Sequence, residues 1–244
     1  MILAVDAGNS RVKWALHDGQ AFIQEGWVAL PDIRGLAQAW KPLPAPDRIV
    51  IANVAGSDAR NELGRMFGRW ESAVIWVTGQ RDQCGVTSSY DDPAQLGPDR
   101  WAALIGARHL VKSACLVVNS GTAMTVDALT AGGEFLGGLI VPGFDLMHQS
   151  LARKTALLSA EQGRYAAFPR NSADAVTSGT IQALCGAVDR MKDAMADAGH
   201  GEPAVLIGGG AGVVLAEHLK SRARYIERLV LEGLVRIAEE EVAA

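Results

Sequence analysis

Cysteine is scarce in this sequence of 244 residues, and both long hydrophobic runs and an excess of basic residues are missing. The three cysteines, Cys84, Cys115 and Cys185, form no Cys-x-x-Cys pair, and their odd number indicates reduced thiols rather than a disulfide framework. No apolar run approaches the roughly 18 residues that a membrane span needs. A charge at position 6 also argues against a signal peptide. We therefore expect a cytoplasmic protein with no membrane partner.

The charge balance is slightly acidic, with 23 Lys and Arg against 27 Asp and Glu and a net charge of -4. A protein without a strongly basic face lacks the electrostatic footprint of a nucleic-acid binder, so we expect no nucleic-acid partner. The five histidines are scattered without the spacing of metal ligands. The hydrophobic fraction of 49% is typical of a globular protein, and the length allows one large domain or two small ones.

Apolar runs bounded by turn residues predict the same order of elements in both halves of the chain. In the first half they predict strands at 2–5, 12–16, 21–28, 47–54 and 73–77, and helices from Pro31 to Trp40 and from Ser57, as its cap, to Arg69. In the second half they predict strands at 114–118, 123–129, 134–141 and 204–208. They also predict a helix that follows Pro142-Gly143 and runs to about Leu158, and helices near 173–198, over 211–220 and over about 229–241.

The chain therefore reads as two copies of one strand-strand-strand-helix-strand-helix unit. The turn after the first strand is "VDAGNS" at 5–10 in one copy and "VNSGTA" at 118–123 in the other. We predict a domain over 1–112 and a second over 113–244 with a helical insertion at about 171–199. Such a duplication would leave a cleft between the domains, which is a preferred place for ligands.

The first of these turns has the composition of a phosphate loop. Gly8 lets an anion approach the backbone, Asn9 and Ser10 add polar side chains, and Lys13 adds positive charge. Asp6 would repel phosphate unless a cation lies between them, so we expect water-bridged Mg²⁺ there. The same residues also suit a plain hairpin turn with an Asx hydrogen bond, and the composition alone leaves both interpretations open.

A second polar cluster, Gly97-Pro98-Asp99-Arg100, stands where a helix begins. Asp99 can cap that helix, with Arg100 solvated on the surface. Alternatively, Asp99 can accept a proton from a substrate hydroxyl while Arg100 pairs with a carboxylate. Trp101, the next residue, could shape a substrate pocket.

Six segments in order resemble the type III pantothenate kinases, a family of the actin-like ATPase superfamily. They are "DAGNS" (6–10), "YDDPAQLGPDRW" (90–101), "NSGTAMTVD" (119–127), "GGLIVPG" (137–143), "NSADAVTSG" (171–179) and "LEGL" (231–234). The resemblance implies an α/β fold of two RNase H-like, actin-like ATPase domains. It also implies transfer of phosphate from ATP to pantothenate, giving 4′-phosphopantothenate, the first step of coenzyme A synthesis.

The resemblance also assigns site residues. It implies that Asp99 is the catalytic base and that pantothenate is bound by Tyr90, Gly97, Pro98, Asp99, Arg100 and Ser172. It implies that ATP is bound by Asp6, Ala7, Gly8, Asn9, Ser10, Arg11, Val12, Lys13 and Thr122, with Mg²⁺ held through water by Asp6. Tyr90 could instead be a packed loop residue and Ser172 a helix cap. The run "IGGGAG" at 207–212 suits either the adenosine part of the nucleotide or a tight strand-to-helix turn.

The sequence departs from the family pattern in its phosphate loops. Asn119 stands where the family has an aspartate that binds an activating K⁺ ion, and Ser10 replaces a threonine. We therefore expect a weaker or altered monovalent-cation requirement, with NH₄⁺ serving as well as K⁺. The family is dimeric, which implies a homodimer. Two other functions remain open, a sugar or polyol kinase of the same fold and a non-catalytic nucleotide-binding regulatory module.

Overall fold

A computed structural model of the protein describes residues 1–70, 72–155 and 161–243. The chain forms two compact units. Unit 1 is Met1–Leu110 together with the residues from Arg228 onward, and unit 2 is Val111–Glu227. The change of unit after Leu110 lies two residues before the predicted one. The C-terminal helix, however, belongs to unit 1 and not to the second domain, where the sequence analysis placed it.

The elements follow one another in the predicted order, with short additions. Up to residue 110 they are β1 (Ile2–Ala7), β2 (Arg11–His17), β3 (Phe22–Ala29), a 3-10 helix (Leu30–Gly35), α1 (Leu36–Ala39), β4 (Arg48–Asn53), α2 (Ser57–Phe67), β5 (Ala73–Trp76), β6 (Asp82–Gln83), β7 (Val86–Ser88), a 3-10 helix (Pro93–Gln95) and α3 (Pro98–Leu110). Beyond it they are β8 (Cys115–Ser120), β9 (Ala123–Leu129), β10 (Glu134–Pro142), α4 (Phe144–Lys154), α5 (Ser172–Met195), a π-helical turn (Ala196–His200), β11 (Ala204–Gly208), α6 (Gly212–His218), β12 (Ala223–Tyr225) and α7 (Leu229–Ala243).

The sheet of unit 1 has the strand order β3-β2-β1-β4-β5. The first three strands are antiparallel, and β4 and β5 then pair in parallel beside β1. Because side chains alternate between the two faces of a strand, Leu3 and Val5 of β1 enter the core on one face together with Val12 and Trp14 of β2. Asp6 is directly opposite Lys13 in the register, so this polar pair lies on the other face.

Unit 2 repeats this arrangement. Its strands lie in the order β10-β9-β8-β11-β12, again with three antiparallel strands followed by two parallel ones. The core includes Leu116 and Val118 of β8 and Leu184 and Val188 of α5, all nearly inaccessible to solvent. The predicted duplication is thus visible in the strand order of each unit.

Helix α7 packs closely against α3, and glycines make the approach possible. A Cβ atom on Gly233 would lie 1.7 Å from the carbonyl oxygen of Ala102, and a Cβ atom on Gly106 would lie 2.4 Å from that of Leu229. A side chain at either position would collide with backbone, so these helices meet only because both positions are glycine. This packing explains why the end of the chain belongs to unit 1.

Several details differ from the sequence predictions. Ser57 begins α2 but does not cap it, because Gly56 occupies the cap position without any side-chain hydrogen bond. The predicted helix from Pro31 is a 3-10 helix followed by the four-residue α1. Leu158, where the sequence predicted that the helix after β10 ends, lies outside the described residues. In the described part of the chain, no helix combines the length and hydropathy of a membrane span.

Candidate active site

The turn between β1 and β2 is a short, tight one. The N–H of Gly8 donates to the carbonyl oxygen of Arg11 at 3.0 Å, and the N–H of Leu30 donates to that of Ser10 at 2.9 Å. A Cβ on Gly8 would lie 3.3 Å from the Arg11 oxygen. Asn9 and Ser10 are exposed at the tip. The chain therefore forms a hairpin whose tip is open to a ligand.

The other residues assigned to this turn divide between core and surface. The side chains of Ala7 and Val12 are fully buried in the core, so only their backbone atoms can face a nucleotide. Arg11 is exposed, and its guanidinium carbon lies 4.4 Å from the centre of the Trp27 ring. This cation–π contact holds a positive charge beside the turn.

Asp6 is half-buried at the end of β1, directly opposite Lys13. Burial, and after it the negative charge of Asp99, raise the pKa of Asp6 from 3.8 to about 7, while Lys13 opposes the shift. The negative charge of Asp99 thus acts on Asp6, which agrees with the two carboxyl groups belonging to the same part of unit 1. A cation between them would relieve both charges.

Asp99 stands in the first turn of α3, and its Oδ1 accepts the backbone N–H of Arg100 at 2.9 Å. Burial raises the pKa of this carboxyl above its ordinary value, although that hydrogen bond opposes the shift. Arg100 is only 6% exposed, and its Nη1 donates to the Tyr90 hydroxyl at 3.3 Å. The alternative of a surface-solvated Arg100 is therefore wrong, and Tyr90 is joined to this cluster.

The residues before Asp99 set the shape of this helix start. Pro98 is the first residue of α3, a position that suits its fixed backbone and missing N–H. The carbonyl of Gly97 accepts the N–H of Trp101 at 2.9 Å, and a Cβ on Gly97 would lie 2.8 Å from Oδ1 of Asp99. Gly97 thus leaves room for the carboxylate.

Trp101 does not line a pocket, contrary to the sequence expectation. Its side chain is 0% exposed, and its indole N–H donates to Oε1 of Gln83 at 2.8 Å. The ring therefore joins the β6–β7 hairpin to α3. The sequence analysis did not predict this hairpin, whose strands have only two and three residues.

The corresponding turn of unit 2 lies between β8 and β9. The N–H of Gly121 donates to the carbonyl of Ala123 at 3.0 Å, and the N–H of Gly143 donates to that of Thr122 at 2.9 Å. Thr122 is exposed, whereas Asn119 is half-buried and lies opposite Thr125. The turn thus presents a hydroxyl residue at its tip and an amide residue at its base.

Most of the glycines at 208–212 are required by the local packing and backbone conformation. Gly209 has a φ of +87°, and a Cβ there would lie 2.3 Å from the carbonyl oxygen of Ser120. Gly208 and Gly212 are crowded by Ile226 and Tyr225. A Cβ on Gly210 would meet nothing within 4 Å. The tight strand-to-helix turn therefore accounts for most of this motif.

Ser172 begins α5, and the helix cap is Asn171, whose side chain accepts the N–H of Asp174. Ser172 itself is exposed and lines a groove of about 500 Å³ between α4 and α5. The rest of the motif has a role that sequence reasoning missed. It anchors the irregular segment before it through three hydrogen bonds, from Gly163 N–H to Thr177, from Arg164 N–H to Asp174 and from Ala166 N–H to Ser178.

The residues of unit 1 fit a nucleotide with a divalent cation. Asp6 and Asp99 are hard oxygen donors, the charge of Asp99 raises the pKa of Asp6, and Lys13 and Arg11 of β2 are positively charged. Mg²⁺ typically takes one or two carboxylates and completes its shell with water and phosphate oxygens. Among the described residues, no group of three or more His, Cys, Asp or Glu side chains is placed to hold a metal ion.

Comparison with known sequences decides the family. The model of type III pantothenate kinases matches residues 2–194. A type III pantothenate kinase of Nitrosospira multiformis is 44% identical over 240 residues, which cover 98% of this chain and 92% of that protein. One from Aromatoleum aromaticum is 45% identical over the full length of both. The chain belongs to the type III pantothenate kinase family. It is therefore an enzyme, a kinase.

Solved structures show the fold. A Campylobacter jejuni protein described as a Baf family transcriptional activator aligns with a TM-score of 0.65 at 20% identity, covering 99% of this chain and 100% of that one. A protein from Sinorhizobium meliloti described as a 2-dehydro-3-deoxygalactonokinase aligns with a TM-score of 0.62, also at 20% identity, covering 99% of each chain. The expected two-domain α/β fold of actin-like ATPases is confirmed.

Proposed function

We infer that this chain transfers the γ-phosphate of ATP to the primary hydroxyl of pantothenate, the first step of coenzyme A synthesis. Beside the family membership, one observation carries the inference. Arg100 is buried and bonded to Tyr90, directly next to a carboxylate, Asp99, whose pKa is raised. A buried guanidinium beside a basic carboxylate suits a substrate that has both a carboxylate and a hydroxyl group.

In the proposed mechanism, Asp99 orients the pantothenate hydroxyl and accepts its proton. The hydroxyl oxygen forms a bond to the γ-phosphorus while the bond from that phosphorus to the β–γ bridging oxygen breaks and ADP leaves. The raised pKa makes Asp99 a stronger base than an exposed aspartate. Because phosphoryl-transfer transition states are loose, positioning and electrostatic stabilisation account for most of the reduction in the activation barrier.

The remaining assignments follow from charge and place. We propose that Arg100 and Tyr90 hold the substrate, while Lys13, Arg11 and the turn at Gly8 face the phosphates. Asp6 would hold Mg²⁺ through water, and the metal would supply charge neutralisation on the transferring phosphate. In unit 2, Thr122 would contact ATP and Ser172 would contact pantothenate, since both are exposed hydroxyl residues.

A monovalent cation is a further part of the proposal. Asn119 offers a carbonyl oxygen but no negative charge, so we expect weak discrimination between K⁺ and NH₄⁺. The homodimer and the cytoplasmic location stay predictions. The location is consistent with a reaction that consumes ATP, and sedimentation of the purified protein tests the dimer.

The function is tested by ADP release from the purified protein with ATP and Mg²⁺, with and without pantothenate, in Na⁺, K⁺ and NH₄⁺ buffers. We expect ADP only when pantothenate is present. The Asn119→Asp variant should increase the ratio of the rates in K⁺ and Na⁺. Equal rates in all three buffers for both proteins would contradict the cation site. ATP binding without turnover would favour a regulatory module, and turnover of a sugar alone would favour a sugar kinase.

A further inference from the structure

The loop that carries Tyr90 has little regular structure of its own. Tyr90 lies between the end of β7 and the 3-10 helix that begins at Pro93. Its backbone N–H donates to the Ser88 hydroxyl at 3.3 Å, a long hydrogen bond. A loop of this kind needs support from elsewhere in the fold if its tyrosine is to stay in one position.

That support comes from Arg81, just before β6. Its Nη1 donates to the carbonyl oxygen of Ser88 at 2.6 Å, and its Nη2 donates to that of Asp91 at 3.1 Å. The backbone N–H of Ser88 donates back to the carbonyl of Arg81 at 2.8 Å. The two acceptor residues stand on either side of Tyr90, so one planar guanidinium spans the loop that contains the tyrosine.

We propose that Arg81 is a positioning residue for pantothenate binding, acting by fixing Tyr90 against Arg100. This inference rests on the proposed function. A guanidinium presents its donors in a rigid fork, whereas a lysine ammonium is a single point on a flexible stem. Only arginine can therefore hold both carbonyls at once in the observed geometry.

The rest of the hairpin is anchored independently of Arg81. Gln83 accepts the indole N–H of Trp101, which follows Arg100 in α3. The N–H of Cys84, in the turn, donates to Oε1 of Glu240 in α7 at 2.9 Å. These contacts hold the incoming part of the hairpin on the two helices. Arg81 adds a hold on the carbonyls on both sides of Tyr90, so the loss of Arg81 should displace the tyrosine without unfolding the hairpin.

The first test is steady-state kinetics of the full-length protein with Arg81→Gln and Arg81→Lys. For Arg81→Gln we expect the KM for pantothenate to rise about tenfold, while kcat and the KM for ATP change less than about threefold, the pattern of lost substrate binding. Arg81→Lys should lie between this variant and the wild type. Arg34→Gln is the matched control, because Arg34 is an exposed arginine paired with Glu62, and it should behave as wild type.

The second test is a double-mutant cycle with Tyr90→Phe. If Arg81 acts through Tyr90, the double variant should bind pantothenate no more than about twofold more weakly than the single variant with the lower affinity. The effects of substituting two coupled residues are not additive. Fully additive losses would overturn the proposal, since Arg81 would then contact the substrate by itself. An unchanged KM in Arg81→Gln would also overturn it, as would a fall in melting temperature accompanied by equal losses toward both substrates.

Calorimetric measurement of pantothenate binding to the wild type distinguishes a failure of the proposed function from a failure of the proposed role of Arg81. Wild-type protein that neither binds nor phosphorylates pantothenate would overturn the proposed function and the role of Arg81 with it. Wild-type protein with normal turnover, together with unaffected Arg81 variants, would overturn only the role of Arg81. If Arg81→Gln does not fold, Arg81→Lys still tests the role of Arg81, because lysine keeps the positive charge but cannot bond both carbonyls through a planar guanidinium.

Discussion

In the proposed mechanism, the chemistry of unit 1 depends on single side chains, and Asp99 gives the most direct test. Asp99→Asn keeps the size of the side chain and an oxygen that can accept the Arg100 N–H, but it removes the base. We expect kcat to fall by about 10²- to 10⁴-fold, the usual contribution of general-base catalysis, with no loss in melting temperature. Asp32→Asn, at an exposed position in the 3-10 helix after β3, is the control. Full activity of Asp99→Asn would remove Asp99 from the mechanism.

Asp6 should make stability depend on pH in an unusual direction. The pKa of this carboxyl is raised to about 7 in the folded protein from an ordinary value of 3.8. Between these values the folded state binds more protons than the unfolded state. The contribution of Asp6 to the free energy of unfolding therefore falls as pH rises from about 4 to 7 and is level above that.

The measurement compares the wild type with Asp6→Asn, without Mg²⁺ or ATP, by urea denaturation at several pH values. The variant has no charge to bury, so it should gain stability relative to the wild type as pH rises from 4 to 7. A difference that stays constant over this range would show that Asp6 does not titrate there. The comparison cancels other carboxylates such as Asp47 and Asp174, whose pKa values are lowered.

The sequence indicated candidate residues for the chemistry but not the residues that hold those candidates in place. Asp99, Arg100 and Tyr90 lie within one motif, and the structure brings Arg100 and Tyr90 into contact. The contact of Cys84 with Glu240 joins residues 156 positions apart. Such a pair has no local signature, because any exposed glutamate on a helix looks the same in one sequence. Tertiary hydrogen bonds of this kind have to be read from the structure.

At the level of helices and strands, the α3–α7 contact makes the clearest prediction. Gly233→Ala would place a methyl group where the Ala102 carbonyl now lies, so the helices must separate. We expect a loss of about 1–3 kcal/mol or more in the free energy of unfolding, typical of overpacking. Gly64→Ala in α2, with no atom within 4 Å of the new Cβ, should instead stabilise by about 0.5–1 kcal/mol. Similar effects of the two substitutions on chemical denaturation would contradict the proposed origin of this contact.

Helices and strands with longer hydrophobic patterns were predicted more accurately from the sequence than short ones. Strand β11 begins and ends at the predicted residues, Ala204 and Gly208, because five consecutive residues from a buried parallel strand give a clear apolar run. Strands β6, β7 and β12 have only two or three residues and were not predicted. A run that short contains too few positions for any periodicity to show.

For the molecule as a whole, the duplication was predictable and the path of the chain end was not. The strand order repeats in both units, as the matching turns indicated. Helix α7 follows unit 2 in sequence and yet belongs to unit 1. An amphipathic helix shows in its sequence that it buries one face, but the surface that receives it depends on complementary shape. Here that shape is set by glycines on two helices far apart in the chain.

Because unit 1 is built from both ends of the chain, we expect a chain that stops after Glu227 to lose the fold of unit 1. Helix α7 buries six large apolar side chains: Leu229, Val230, Leu231, Leu234, Val235 and Ile237. Each contributes about 1.5–3 kcal/mol, and their sum is comparable with the about 5–15 kcal/mol of a typical domain. Helix α7 also supplies the carbonyl of Ala238, which accepts a hydrogen bond from Arg48 of β4 at 2.7 Å.

Tryptophan fluorescence tests this truncation directly, because all six tryptophans lie within residues 1–110. In the full-length protein Trp14, Trp40 and Trp101 are at most 4% exposed, so their emission should be blue-shifted. The truncated chain should emit at the longer wavelength of hydrated indole and lose its near-ultraviolet circular dichroism. Glu241→Gln, an exposed position on α7, is the control and should emit as the wild type does. Native-like emission from the truncated chain would mean that β1, β4 and α3 form a stable core by themselves, and the C-terminal helix would then be an addition to unit 1 rather than a part of its core.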